Sequence, residues 1–187
     1  MIDLSKILER CKKFERKAQK ELYDIYSPVL FGICMRYAKS KFEAEDMLQE
    51  GFIKILTKVN DYKGDGSFEG WMRRIIVNTA ISMYHKNKKH NDIYEIDEIN
   101  ETDIKGYTIE DNQFTSDELF KVINSLPEGY KVVFNLYAIE GFKHKEIAEL
   151  LNINQNTSKS QYSRAKEKIR QQLELISKIK KSNVEKQ

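Results

Sequence analysis

The side chains best suited to act on another molecule lie in the stretch GFKHKEIAELLNINQNTSKSQYSRAKEKIR, Gly141 to Arg170. Over residues 155–170, Lys159, Arg164, Lys166, Lys168 and Arg170 are set against a single acid, Glu167. Such a group binds polyanions through charge, and the short polar side chains among it, Thr157, Ser160 and Ser163, are of the types that reach base edges and phosphates in a major groove. Two short helices around a tight turn would present them. Ile147, Leu150 and Leu151 recur at i, i+3 and i+4, giving a first helix with one core face, and Ala148 leaves room for a crossing helix. Asn152 can end that helix in the left-handed conformation, and the polar run Asn154 to Thr157 offers oxygens to cap the next. The second helix is expected to run to about Leu175, with Lys159, Ser160, Ser163 and Arg164 as its outward contacts. A merely solvated helical hairpin would carry the same charges, so the rest of the chain has to decide.

A second grouping sets aromatic rings beside cations. Phe68, Trp71, Arg73, Arg74, Asn78, Tyr84, Lys86, Lys88 and Lys89 fall within one short stretch, and that combination favours unstacked bases over paired ones. Trp71 reads more readily as a core residue at the start of an amphipathic helix, which leaves Phe68 and Asn78 as the sharper candidates for a base pocket. The preceding DYKGDGSFEGW is turn-rich. Gly64, Gly66 and Gly70 miss the dinucleotide-binding spacing, and Asp61-x-Lys63-x-Asp65-Gly66 lacks the carboxylates of a calcium loop. These glycines read as a tight loop, capped into the next helix near Ser67.

The 187 residues are 40% hydrophobic and 33% charged with only two prolines and eight glycines, so a mostly helical chain with one ordinary core or two small ones is expected. A net charge of +3 conceals segregation: residues 1–90 sum to +6, residues 91–118 to −9 and residues 119–187 to +6. Two basic modules thus flank an acidic connector that duplex nucleic acid would repel. No signal-peptide core and no membrane-length apolar run occurs, which points to a cytoplasmic protein. Cys11 and Cys34 are too far apart in sequence for a CxxC pair and are expected as reduced thiols. His85, His90 and His144 have no companions at ligand spacing, so neither metal nor cofactor is expected.

Helical periodicity fills most of the remainder. Residues 1–20 read as one charged, weakly amphipathic helix, and 20–39 as a second with Pro28 as a kink or boundary. In EAEDMLQEGFIKILTKV the apolar steps Ala44, Met47, Leu48, Gly51, Phe52, Ile55, Leu56 and Val59 put Asp46, Gln49, Glu50 and Lys54 on the opposite side. Periodicity is lost over 87–116, as in a flexible or loosely docked linker, and returns from Asp117 as two helices separated by Leu126-Pro127. The C-terminal SKIKKSNVEKQ reads as frayed.

Taken together, these segments resemble a sigma factor of bacterial RNA polymerase, of the short extracytoplasmic-function type in the sigma-70 family, over about Leu22 to Leu173. EAEDMLQEGFIKIL is similar to region 2.2, which binds the clamp coiled coil of the largest polymerase subunit, and implies Asp46, Gln49 and Glu50 as its contacts. SFEGWMRRIIVNTAISMYHKNKK resembles regions 2.3 and 2.4, which open the promoter at the −10 element, and implies Phe68, Trp71, Arg74, Asn78, Lys86 and Lys88. Ser82 stands where an aspartate is common, so base preference at −10 does not transfer. LPEGYKVVFNLYAIEGFKHKEIAELLNINQNTSKSQYSRAKEKIR resembles region 4, whose helix-turn-helix reads the −35 element. It implies Thr157, Lys159, Ser160, Ser163, Arg164 and Lys168. Asn156 replaces a usual glycine and Ser158 an inward-packing valine, so a loosened helix start is expected.

The resemblance thus implies an all-α chain of two small helical domains: 1–90, an acidic linker 91–116, 117–176 and a basic tail 177–187. Two promoter elements about 25 base pairs apart lie ~85 Å apart on B-DNA, and residues 91–116 fully extended reach about 85 to 94 Å. The implied partners are core RNA polymerase, promoter DNA and an anti-sigma protein, with no enzymatic chemistry. Two other functions fit parts of the chain. An autonomous helix-turn-helix regulator would bind duplex operator DNA without polymerase, and a single-stranded nucleic-acid module would leave the helix-turn-helix idle.

Overall fold

The computed structural model describes residues 3–90 and 114–184. The acidic connector therefore lies outside the described residues up to position 113. The chain divides into two compact units at residues 91 and 92, and among the described residues both are built from helices without strands.

The first unit holds α1 (Leu4–Lys12), α2 (Arg16–Tyr37), α3 (Lys41–Thr57), a 3-10 turn at Val59–Asp61 and α4 (Phe68–His90). Helices α2, α3 and α4 pack on one another, and α1 lies against α2 and the 3-10 turn. The core is filled by Leu22, Leu30, Met47, Ile55, Met72 and Ile76, all essentially without exposure. Between α3 and α4 the Ile76 side chain packs onto Gly51: a Cβ built on Gly51 would overlap the Cδ1 of Ile76, so the absence of a side chain there makes room for it.

The single helix expected over residues 1–20 is in fact two. The chain turns at Phe14, whose φ is +59°. Arg10 staples the turn, donating to Glu15 at 2.6 and 2.9 Å and to Glu21 at 3.2 Å. No glycine or asparagine signals this break. Pro28, conversely, does not break α2. It is exposed, so solvent can take up the carbonyl that loses its partner.

The second unit holds α5 (Ser116–Asn124), α6 (Glu128–Phe134), a π-helical turn at Asn135–Ile139, α7 (His144–Leu151) and α8 (Gln155–Val184). Helix α5 begins with a reciprocal cap, in which Glu118 N donates to Thr115 Oγ1 at 3.2 Å and Thr115 N to Glu118 Oε2 at 2.8 Å. Helix α8 is the spine, packed by α5, α6 and α7. It continues well past Leu175, where the sequence periodicity ends. Lys180 ties the extension to Glu118 at 2.8 Å and lies 5.4 Å from the Phe114 ring centroid.

Candidate polymerase- and DNA-binding faces

Helix α3 starts cleanly because Ser40 Oγ accepts from Glu43 N at 3.1 Å and Glu43 Oε2 accepts from Lys39 N at 2.6 Å. With Ala44, Met47, Leu48, Gly51, Phe52 and Ile55 turned inward, Asp46, Gln49 and Glu50 are all exposed. Two large apolar side chains share their stripe: Phe42 is 72% exposed and Ile53 63%. Phe42, Asp46, Gln49 and Ile53 fall at i, i+4, i+7 and i+11, one face of a helix. The face is thus polar and acidic in the middle and apolar at both ends. Sequence reading misses Phe42 and Ile53 because exposure cannot be told from residue type. Glu50 pairs with Lys54 at 2.6 Å, and Lys54 Nζ also reaches Thr79 Oγ1 on α4 at 3.3 Å.

On α4 the order expected of the aromatic residues is inverted. Phe68 is only 3% exposed. It sits at the centre of a cluster with ring centroids 5.4 Å from Trp71, 5.0 Å from Tyr62 and 5.9 Å from Tyr26. Trp71 and Tyr62 are half-buried and form its outer rim, 5.7 Å apart. As the first helical residue after a loop, Phe68 can point back under that loop, and it does. The loop is shaped by Gly64 and Gly66 at φ of +88° and +84°, by Tyr62 OH donating to Gly66 O at 2.8 Å, and by Ser67 Oγ accepting from Gly70 N at 3.0 Å. Burial, with Glu69 and Tyr62 nearby, pushes the Tyr26 phenol up. Tyr62 and Tyr26 escape sequence reading because they reach the cluster from outside α4.

Arg74, Asn78, Lys86 and Lys88 are exposed. At 100° per residue, Trp71, Asn78, Arg74 and Lys88 fall within about 100° of arc, with Lys86 on the flank. A stacking rim, an amide and cations thus share one face.

In the second unit the turn between α7 and α8 forms as its residue types indicate. Asn152 is left-handed at φ +51°, and Asn154 Oδ1 accepts from Asn156 N at 2.8 Å. Ser158 does not loosen the start of α8. It is fully buried, with its Oγ 2.9 Å from His144 Nδ1, so the hydroxyl finds a partner on α7. His144 stacks on Tyr137 at 4.3 Å, and Tyr137 lies 4.4 Å from Tyr162. Burial, then the charge of Lys159, depresses the His144 pKa.

The −35 residues separate into two arcs. Lys159, Ser163, Asn156 and Ser160 lie within about 100° on the side away from the core, while Thr157, Arg164 and Lys168 cluster on the flank. Arg164 is half-buried, donating to Tyr130 OH at 3.4 Å. Arg170 is held by Glu167 at 2.7 Å and Glu174 at 2.9 Å. Hydrogen bonds from Arg170, then Gln171, hold the Glu167 carboxyl below the usual range. Lys166 sits 4.9 Å from the Tyr162 ring centroid. Asn156, which the sequence suggests only as a capping residue and as the replacement of a usual glycine, joins the outward arc.

Among the described residues no helix is long and apolar enough to cross a membrane, and no group of three or more His, Cys, Asp or Glu is placed to hold a metal ion. Cys11 and Cys34 are free and buried, and burial pushes the Cys34 thiol up to about 12.

Residues 22–90 match the family model for sigma-70 region 2, and residues 116–169 that for sigma-70, region 4. The chain is 29% identical over 178 residues to the ECF RNA polymerase sigma-E factor of Haemophilus influenzae, spanning 90% of this chain and 94% of that one. To the protein of the same name from Escherichia coli K12 it is 29% identical over 173 residues, 87% and 90% of the two chains. In fold it is similar to the sigma factor RpoE of Bartonella quintana, solved with the anti-sigma factor NepR. The TM-score is 0.50 at 19% identity, covering 83% of this chain and 96% of that one. With the two region models matched in order and relatives aligned along nearly its whole length, the chain belongs to the sigma-70 family of RNA polymerase sigma factors, in its extracytoplasmic-function type.

Proposed function

We propose that this chain binds core RNA polymerase through the exposed face of α3, opens promoter DNA with the aromatic and cationic face of α4, and reads the −35 element with the start of α8. It is a promoter-specificity subunit that directs transcription initiation. The observation that carries the residue assignments is that α3, α4 and α8 each turn a chemically distinct face outward. On α3, Asp46, Gln49 and Glu50 offer acceptors to a basic partner, and Phe42 and Ile53 add apolar area at either end. Burying one such side chain is worth about 1.5–3 kcal/mol, more than an exposed ion pair contributes.

On α4, Trp71 and Tyr62 give a flipped base a rim to stack on, with Phe68 as the floor, and base–aromatic stacking is worth about 1–3 kcal/mol per base. Asn78 offers both donor and acceptor to a base edge, while Arg74, Lys86 and Lys88 hold phosphates. On α8, Asn156, Lys159, Ser160 and Ser163 face base edges, and Thr157, Arg164 and Lys168 face the sugar–phosphate backbone. That division lets Lys159 and Asn156 discriminate bases while the flank fixes register. None of these roles requires the protein to make or break a covalent bond. The chain acts in the cytoplasm and is restrained by an anti-sigma protein that covers the polymerase-binding faces; the resemblance to a sigma factor solved with such a partner supports this.

Binding of the full chain to core polymerase tests the first step. Asp46→Arg with Glu50→Arg is expected to abolish it, and unchanged affinity would remove α3 as the docking face. Tight duplex binding with no polymerase dependence would favour an autonomous regulator.

A further inference from the structure

A polar contact joins the N-terminal end of α3 to the C-terminal turns of α4. Glu43 Oε1 accepts from Asn87 Nδ2 at 3.0 Å, while its Oε2 accepts from Lys39 N at 2.6 Å. A capping carboxylate needs only one oxygen for a backbone N–H; here the second oxygen reaches 44 positions along the chain. Both residues are half-buried, so water competes with this bond less than with the exposed pairs around it.

Its place on α4 gives it leverage. From Ser82 to Lys88 no side chain of α4 is fully buried, so these turns project past the apolar core. Further back the helix is held in the core, where the fully buried Ile76 packs on Gly51 of α3, and at 1.5 Å per residue Asn87 lies about 16 Å beyond it. A tilt of about 10° at that point moves the helix end by roughly 3 Å, enough to take a cation out of contact with a phosphate. Lys86 and Lys88 flank Asn87 directly.

We infer that Glu43 is a positioning residue for promoter opening: through Asn87 it fixes the last turns of α4 against the polymerase-docking helix, and so sets where Lys86 and Lys88 meet DNA. This rests on the reading of α3 as the polymerase face and α4 as the DNA face. With both carboxylate oxygens already engaged within the chain, Glu43 acts through Asn87 and not as a polymerase contact.

The test is a double-mutant cycle on the full chain with core polymerase at a promoter mapped with the wild-type protein. Open complex is read by permanganate reactivity of unpaired thymines, and polymerase affinity is measured separately. Glu43→Ala and Asn87→Ala are each expected to reduce opening about five- to twentyfold. The double variant is expected to be no worse than the weaker single, and polymerase affinity to stay within about twofold. Glu43→Gln, which keeps an acceptor for Asn87, is expected to retain at least half of wild-type opening. If Glu43→Ala fails to fold, Asn87→Asp alone and combined with Glu43→Gln takes its place: like charges should impair opening, and exchanging donor and acceptor should restore it. Effects that multiply in the double variant, loss confined to polymerase affinity, or an Asn87→Ala protein that opens DNA normally would each overturn the inference. A wild-type chain that opens no promoter with polymerase would instead overturn the reading on which it rests.

Discussion

Gly51→Ala ordinarily strengthens a helix, by about 1 kcal/mol at an interior position, yet in α3 it is expected to be neutral or destabilising. The new methyl would overlap Ile76 Cδ1, the end of a side chain with no exposure. Overpacking of this kind costs about 1–3 kcal/mol, so the net effect is a loss of roughly 0–2 kcal/mol. Ile76→Val removes that atom at a cost of about 0.5–1.5 kcal/mol. The other atoms near the new methyl are then at ordinary contact distance, with Thr79 Oγ1 at 3.8 Å. In the Ile76→Val background Gly51→Ala should therefore recover close to its full 1 kcal/mol, a coupling of about 1–3 kcal/mol between the two sites. Trp71 is the only tryptophan, so its fluorescence during urea unfolding reports the first unit alone. Stabilisation by about 1 kcal/mol in both backgrounds would show that Ile76 moves aside at no cost, and would refute the account of this contact as tightly packed.

Three further outcomes follow from the faces themselves. Phe42→Ser combined with Ile53→Ser should weaken polymerase binding at least tenfold with little change in the stability of the first unit, because both side chains are mostly exposed in the free protein. In a salt titration of promoter binding by the full chain, Lys168→Ala should flatten the log-log slope by about 0.9, as one lost phosphate contact does. Arg170→Ala should leave the slope unchanged, since Glu167 and Glu174 already hold that cation. An NMR titration should place the His144 midpoint below 6.5, and Lys159→Ala should raise it. Because the folded pKa is depressed, the second unit keeps its full stability above about pH 6.5 and loses some as pH falls through the folded midpoint; a midpoint above 6.5 contradicts the buried setting.

Much of this was legible where chemistry is local. Asn152 ends α7 and Asn154 caps α8 because their side chains suit a left-handed residue and a free N–H, and Ser67 caps α4 for the same reason. The acidic face of α3 follows from periodicity alone. What escaped reading depends on contacts distant in sequence. Phe68 reads as a base-pocket ring because nothing in its sequence neighbourhood shows that Tyr26 and Tyr62 enclose it. The break at Phe14 rests on Arg10 gripping Glu15 and Glu21, and a phenylalanine at positive φ is not a residue-type signal. The extension of α8 beyond Leu175 leaves Ile179 exposed, so amphipathicity could not announce it; the bond from Lys180 to Glu118 holds it across the unit. Ser158 looked like a defect until His144, fourteen positions earlier, supplied its partner.

The central claim, that this chain gives core polymerase its promoter specificity, is tested most directly by transcription in vitro. Core polymerase would be supplied with a fragmented genomic library, with and without the full chain, and new RNA 5′ ends mapped. The account predicts discrete starts that depend on the protein and share sequences near −35 and −10, and that vanish with Asp46→Arg and Glu50→Arg. An unchanged pattern of starts, with the protein nonetheless bound tightly to duplex DNA, would contradict it.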